Sequence, residues 1–313
     1  MLMKPMLRFV PDGTTIRFMN GRFAGLIVSA VLSTASAILF FYPGLNLGLD
    51  FKGGVVLQVE TPQAANFPAL RTALAQAGLA DASLQSFGAG GTGVLISLES
   101  KASAAATQTS ITEAQNALAK AAPGAKILST QAIGASVSNQ LFAQGLEALG
   151  LSFVMILAYI WFRFEWQFAV GAVTTLVLDT TKTIGFMVIT RIPFDLVTIA
   201  AILTIIGYST NDKVVVYDRV RENLRKYKAM PLRNLIDLSI NETLNRTLGT
   251  SGTVFLAALP LALFGGSALS GFAWIMLFGI VVGTSSSIFI AAPILLFLGE
   301  HRLRRSGSLP KAK

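Results

Sequence analysis

Six apolar stretches, each long enough to cross a bilayer as a helix, recur along this chain at about 23–42, 141–161, 168–189, 196–217, 247–264 and 271–298. A hydrocarbon core of roughly 30 Å takes about 20 helical residues. Within it each backbone N–H and C=O needs a partner from the chain itself, which a helix supplies inside one segment. The pattern therefore predicts a polytopic α-helical membrane protein with six transmembrane helices. The charged share agrees: only 13% of the 313 residues are charged while 53% are apolar, far from an ordinary soluble domain. Cysteine is absent, which excludes disulfides, thiolate metal sites and a cysteine nucleophile, and the one histidine, His301, lies in the tail.

The first stretch imitates a signal peptide, with Lys4, Arg8, Arg17 and Arg22 before it and Ala35-Ser36-Ala37 inside it. Ile38 to Phe41 continue the apolar run past that triplet, so an uncleaved anchor is expected. Basic residues resist export and so set orientation. They gather in segment 1–22, in loop 218–246 (Arg219, Arg221, Arg225, Lys226, Lys228, Arg233) and in tail 299–313 (Arg302, Arg304, Arg305, Lys311, Lys313). These three segments are expected in the cytoplasm. The opposite connections hold little positive charge, Arg191 in one and none over Gly265 to Ser270. The net charge of +9 thus serves topology rather than nucleic-acid binding, and both termini are expected on the cytoplasmic side.

Segment 43–140 is the one large soluble piece and is expected to be exported. Its pattern predicts strand Val55 to Glu60, a helix from N-cap Asn66 to Ala77, strand Ser83 to Phe87, a turn over Gly88 to Gly93, and strand Val94 to Glu99. A helix from Gln108 to Ala122 and strand Lys126 to Gln131 complete a βαββαβ order, an α+β ferredoxin-like domain between spans one and two.

Ionisable residues inside the spans are the most informative feature, because each is costly in hydrocarbon and persists when paired or functional. Asp179 lies near the middle of span three, with Lys182 one turn on at i+3, close enough to form a neutralised structural pair. Asp212 and Lys213 lie in the inner half of span four beside Asn211. Lys213 is near enough to the inner face to snorkel. Arg246 stands at the inner end of span five, either snorkelling or facing Asp212. With no histidine in the spans, Asp212 is the group best suited to take up and release a proton. Gly279-x-x-x-Gly283, continued by Thr284 to Ser287, offers a small-residue face for helix packing, as does Gly21-x-x-x-Gly25. Leu232, Leu235, Ile236, Leu238, Ile240 and Leu244 suggest an amphipathic cytoplasmic helix lying on the membrane. No phosphate loop, zinc motif, nucleophile elbow or dinucleotide fingerprint is present, so work done by this chain draws on an ion gradient or a partner.

Three stretches are more specific still: LNLGLDFKGG from Leu45 to Gly54, GYSTNDKVVVYDRVREN from Gly207 to Asn223, and NETLNRT from Asn241 to Thr247 followed by TSGT and FGG. Together with the order of spans, these resemble the SecD/SecF family of bacterial protein-translocase subunits, within the resistance-nodulation-division superfamily. The N-D-x-V-V-V run followed by D-R-V-R-E-N is the form of the SecF branch. The resemblance implies a non-enzymatic inner-membrane subunit that pairs with SecD, docks on SecYEG with YajC and YidC nearby, and uses the proton-motive force to draw unfolded secretory chains across. It implies no cofactor, with sodium as the alternative coupling ion.

Carried onto this chain, Asp212 matches the proton-responsive carboxylate, Arg246 its basic counterpart and Asp179 the span-three carboxylate, while Asp50, Gly53 and Gly54 match the motif at the root of the periplasmic domain. Two positions depart from the family pattern. Leu178 replaces a common histidine, and Lys213 replaces a small hydroxyl residue. A half-size exporter of small molecules or lipids and a scaffold with purely structural charges are the competing functions.

Overall fold

The computed structural model describes residues 11, 14–87, 91–99 and 104–299. Lys4, Arg8, the turn residues 88–90 and the basic tail from Glu300 on, His301 included, lie outside the described residues.

A 3-10 turn at Phe18–Gly21 leads into α1 (Arg22–Phe41), and a short helix α2 (Leu49–Lys52) opens the soluble domain. The domain runs β1 (Gly54–Glu60), α3 (Phe67–Gln76), β2 (Ser83–Phe87), β3 (Gly93–Leu98), α4 (Ala104–Ala121) and β4 (Lys126–Ile133). Its sheet order is β2-β3-β1-β4, with each neighbouring pair antiparallel, which is the ferredoxin-like arrangement expected from the βαββαβ order. Alternation explains the layering: Val55, Leu57 and Val59 on β1 and Val94, Ile96 and Leu98 on β3 turn to one face. There Leu70 and Leu74 of α3 and Ile111 and Leu118 of α4 cover them. Asn66 caps α3 by accepting the Ala69 N–H, and Gly78 adopts the left-handed backbone that ends it.

Five further helices form the rest of the membrane bundle: α5 (Ala135–Arg163), α6 (Trp166–Thr190), α7 (Leu196–Lys226), α8 (Leu232–Phe264) and α9 (Gly266–Ser286). The last is extended through a π-helical turn, Ser287–Ala291, into α10 (Ala292–Gly299). Among the described residues, six helical segments are long and apolar enough to cross a membrane. α6, α7 and the α9–α10 segment form the middle of the bundle, with half or more of their apolar stretches buried, whereas α1, α5 and α8 lie outside. Leu151, Val154, Met155 and Phe162 stand exposed on α5, as suits side chains that face acyl chains.

Small residues set the spacing. A β-carbon on Gly279 would run into Ile205, and one on Gly283 would stand 3.0 Å from Ser209, so both glycines hold α9 against α7. Gly25 fits against Phe289 in the same way, where a β-carbon would lie 2.7 Å from the ring's own β-carbon. Both glycine pairs thus include a residue at a close helix approach.

One expectation is overturned. Residues 232–245 do not lie on the membrane as a separate amphipathic helix but form the first turns of α8, which continues unbroken to Phe264. Their apolar face packs into protein: Leu232, Leu235, Ile236, Ile240 and Leu244 join Met19, Tyr217, Val220 and Leu295 in one core. Polar residues pin the same turns, since Asp237 accepts the Met19 N–H at 2.9 Å and Asn241 bonds both backbone groups of Ile16. The 218–246 segment is accordingly two helix ends joined by a short link rather than a loop.

Candidate functional site

Asp179 is buried on α6, and both of its carboxylate oxygens are occupied. Lys182 Nζ lies 3.2 Å from Oδ1, the i,i+3 pair expected from the sequence, and also donates to Ser29 Oγ of α1. Oδ2 takes Lys213 Nζ of α7 at 3.1 Å, with Ser209 Oγ at 3.0 Å and Ser286 Oγ at 2.5 Å as hydroxyl donors. Two lysines therefore share one acid. Lys213 does not snorkel: its side chain is 2% exposed, because bonding to Asp179 and Ser209 replaces the water its ammonium would otherwise seek.

Asp212, one residue earlier on α7, is buried as well but points elsewhere, since neighbours on a helix diverge by about 100°. It accepts Ser287 Oγ at 2.6 Å. Ser286 and Ser287 thus divide between the two acids at the junction of α9 and the π turn. Such turns carry an extra residue and often mark functional positions. The sequence signalled these serines only as small packing residues.

Arg246 and Asn211 stand apart from the cluster. Both are exposed, Arg246 on α8 beside the buried Thr247, and Asn211 on the outer side of α7. Among the described residues no ion pair joins Arg246 to Asp212; the cations next to the acids come from α6 and α7 instead.

Farther along α7 the D-R-V-R-E-N run works as a clamp between helices. Asp218 pairs with Arg163 of α5 at 2.7 Å, and Arg219 pairs with Glu242 of α8 at 2.7 Å. Asn223 bonds Ser239 at 3.0 Å and Glu242 at 2.7 Å. Glu242 is thereby the link between the second and third sequence signatures.

At its other end α7 meets the root of the α+β domain. Asp50 of α2 accepts the Leu196 N–H at 3.0 Å, while Asp195 caps the helix through the Thr198 N–H at 2.8 Å. The two carboxylates so divide the free N–H groups of the first turn. Burial pushes the Asp195 carboxyl above its ordinary value, with the nearby Asp50 charge adding to it and the bonds from Thr198 opposing. Backbone bonds from Gly48 N to Phe194 O at 2.8 Å and from Phe194 N to Asn46 O at 2.7 Å lace the same junction. Phe51 wedges between Phe142 and Phe194 with ring centroids 5.3 Å from each. Gly53 and Gly54 have φ of +69° and +125°, a backbone path that side chains rarely adopt, and this turns the chain from α2 into β1.

Replacing Asp50 with Ala should remove a charge-assisted bond from the start of α7 and speed hydrogen exchange of the Leu196 amide by about 10-fold or more. Exchange mass spectrometry of that segment would measure it. Unchanged protection would mean that the backbone bonds alone hold the junction.

An apolar cleft of about 710 Å³ reaches from Leu47 and Phe194 at this root to Thr180, Ile202 and Ile206. The same three residues border a void of about 10 Å³, room for one water, against Asp179 and Ser209. Thr180, Ile202 and Ile206 thus border both the cleft and the void beside Asp179.

Residues 113–301 match the family described as protein export membrane protein SecD/SecF, C-terminal, and residues 38–65 match the SecD/SecF GG motif. The chain is 40% identical over 308 residues to the protein translocase subunit SecF of Rhodobacter capsulatus, covering 95% of this chain and 92% of that protein. It is 43% identical over 300 residues to SecF of Rickettsia rickettsii, covering 96% and 97%. In three dimensions it is similar to SecDF, a translocon-associated membrane protein from Thermus thermophilus, with a TM-score of 0.83 and 30% identity over 91% of this chain. A super-membrane-facing form of SecDF matches with a TM-score of 0.66 at 29% identity over 98% of this chain. The chain spans about two fifths of those SecDF chains, 39% and 41%.

Proposed function

This chain belongs to the SecD/SecF family of protein-export membrane proteins as a SecF-type translocase subunit, and from that premise we propose that it is an ion-driven motor subunit rather than an enzyme. It pairs with SecD in the bacterial inner membrane, with both termini cytoplasmic and the α+β domain in the periplasm. The complex docks on SecYEG, with YajC and YidC as neighbours, and uses the proton-motive force to promote late translocation of unfolded secretory chains. It needs no cofactor beyond the gradient.

One observation carries the reading: the buried acid Asp212 and the contact with the domain root lie on a single continuous helix. Asp212 and Lys213 lie on α7, and its first turn is held by Asp50 of the root. A proton reaching Asp212 cancels a charge that a hydroxyl, and no lysine among the described residues, contacts. Ser287 then loses its charged acceptor, and the π turn between Asp179 and Asp212 can shift register. A displacement of α7 along its axis is delivered to the root through the Asp50, Gly48 and Phe194 bonds. The cleft shares Thr180, Ile202 and Ile206 with the small void beside Asp179, which supports access from the domain side to that acid.

Purification from native membranes should bring down SecD with this chain, and export into membrane vesicles should slow when an uncoupler dissipates the proton gradient. Export indifferent to the uncoupler, in vesicles that contain the complex, would overturn the motor reading. Isolation as a self-sufficient homo-oligomer that moves dyes would favour an exporter.

A further inference from the structure

Lys213 is anchored unlike an ordinary helix lysine. Its ammonium has three oxygen neighbours, the Asp179 carboxylate at 3.1 Å, the Ser209 carbonyl at 3.3 Å and the Ser209 hydroxyl, which match its three N–H donors. A carboxylate, a carbonyl and a hydroxyl are also the oxygen types that hold a hard metal cation. The carbonyl is available because α7 lends it from the residue one turn before Lys213, and the hydroxyl donates onward to Asp179 at 3.0 Å, so its lone pairs face the ammonium. Gly283 leaves the room for this: a β-carbon there would stand 3.0 Å from both side-chain atoms of Ser209.

We propose that the Lys213 ammonium is a tethered monovalent cation that fills an oxygen-lined site at Asp179 and excludes sodium from it. Lys182 cannot play that part. It takes the other carboxylate oxygen, and its second partner is Ser29 of α1, so it approaches from the opposite side of the acid. With Lys213 in place the site is neutralised by the chain itself, and Asp212 is left as the acid free to respond to the gradient. The inference rests on the ion-coupled reading above but assigns something that reading leaves open, namely which residue bars the second coupling ion.

Shortening the side chain should open the site. The full chain, purified with its SecD partner, would be compared as the parent, as Lys213→Ala and as Lys213→Ser, in sodium chloride and in choline chloride of equal ionic strength. Thermal unfolding and equilibrium binding of radioactive sodium are the readouts. The parent should bind no sodium and unfold at the same temperature in both salts. The variants should bind sodium and gain about 2–4 °C in sodium over choline, and adding Asp179→Asn to them should abolish both effects.

A variant that folds only in sodium supports the proposal. Variants that bind no sodium while folded, variants that fail to fold in either salt, or a parent that already binds sodium at this acid would each overturn it. These readouts do not depend on export. Sodium exclusion together with uncoupler-insensitive export would fault the motor reading and leave this assignment standing.

Discussion

Replacing Asp179 with Asn is expected to strand two buried lysines at once. Lys182 and Lys213 would each lose their anionic partner, with side chains only 7% and 2% exposed. Removing one member of a buried ion pair costs about 3–5 kcal/mol, and here two cations share the lost charge, so the effect should reach the upper end. Thermal unfolding of the purified complex should fall by on the order of 10 °C, with poor recovery from the membrane. Adding Lys182→Met and Lys213→Met should restore most of the loss, because the uncompensated charges rather than the missing acid cause it. A single Asn variant as stable as the parent would show that water reaches the lysines.

Asp212→Asn should behave in the opposite way. The substitution keeps size and an oxygen acceptor for Ser287, and no lysine touches this acid among the described residues, so folding and SecD association should survive with a stability change of about 1 kcal/mol or less. The gradient-dependent part of export should vanish, leaving the rate seen with uncoupler. An Asn variant that still responds fully to the gradient would reject Asp212 as the coupling acid. The two substitutions together separate the group that holds the cluster from the group that drives it. Both acids are buried and they share neighbouring serines, yet one is saturated with cations and the other is not.

Much of the architecture could be read from one dimension because it is written in local periodicity. The six apolar runs, the alternation in β1 and β3, the Asn66 cap and the span of β2 over Ser83–Phe87 each depend on residues within a few positions of one another. The first helix turn of α4 was missed, since Ala104 to Thr107 have little polarity pattern and helix ends are the least determined feature of any segment. The amphipathic face at Leu232 to Leu244 was visible, but what covers it was not. An apolar stripe is the same whether it meets acyl chains or Tyr217 and Leu295.

The candidate site divides along the same line. Asp179 and Lys182 could be paired from spacing alone, because i,i+3 neighbours share a helix face whatever surrounds them. That Lys213 turns inward rather than snorkelling, that Arg246 makes no ion pair with Asp212 among the described residues, and that Ser286 and Ser287 serve different acids could not. Those contacts join residues 34, 107 and 75 positions apart. They depend on how far each helix is rotated about its own axis, and this rotation is set by the seating of Gly279 and Gly283 of α9 against α7. Hydrophobic spacing along the chain decided which segments enter the membrane and which residues carry charge into it; only the close packing of three helices decided which charges meet.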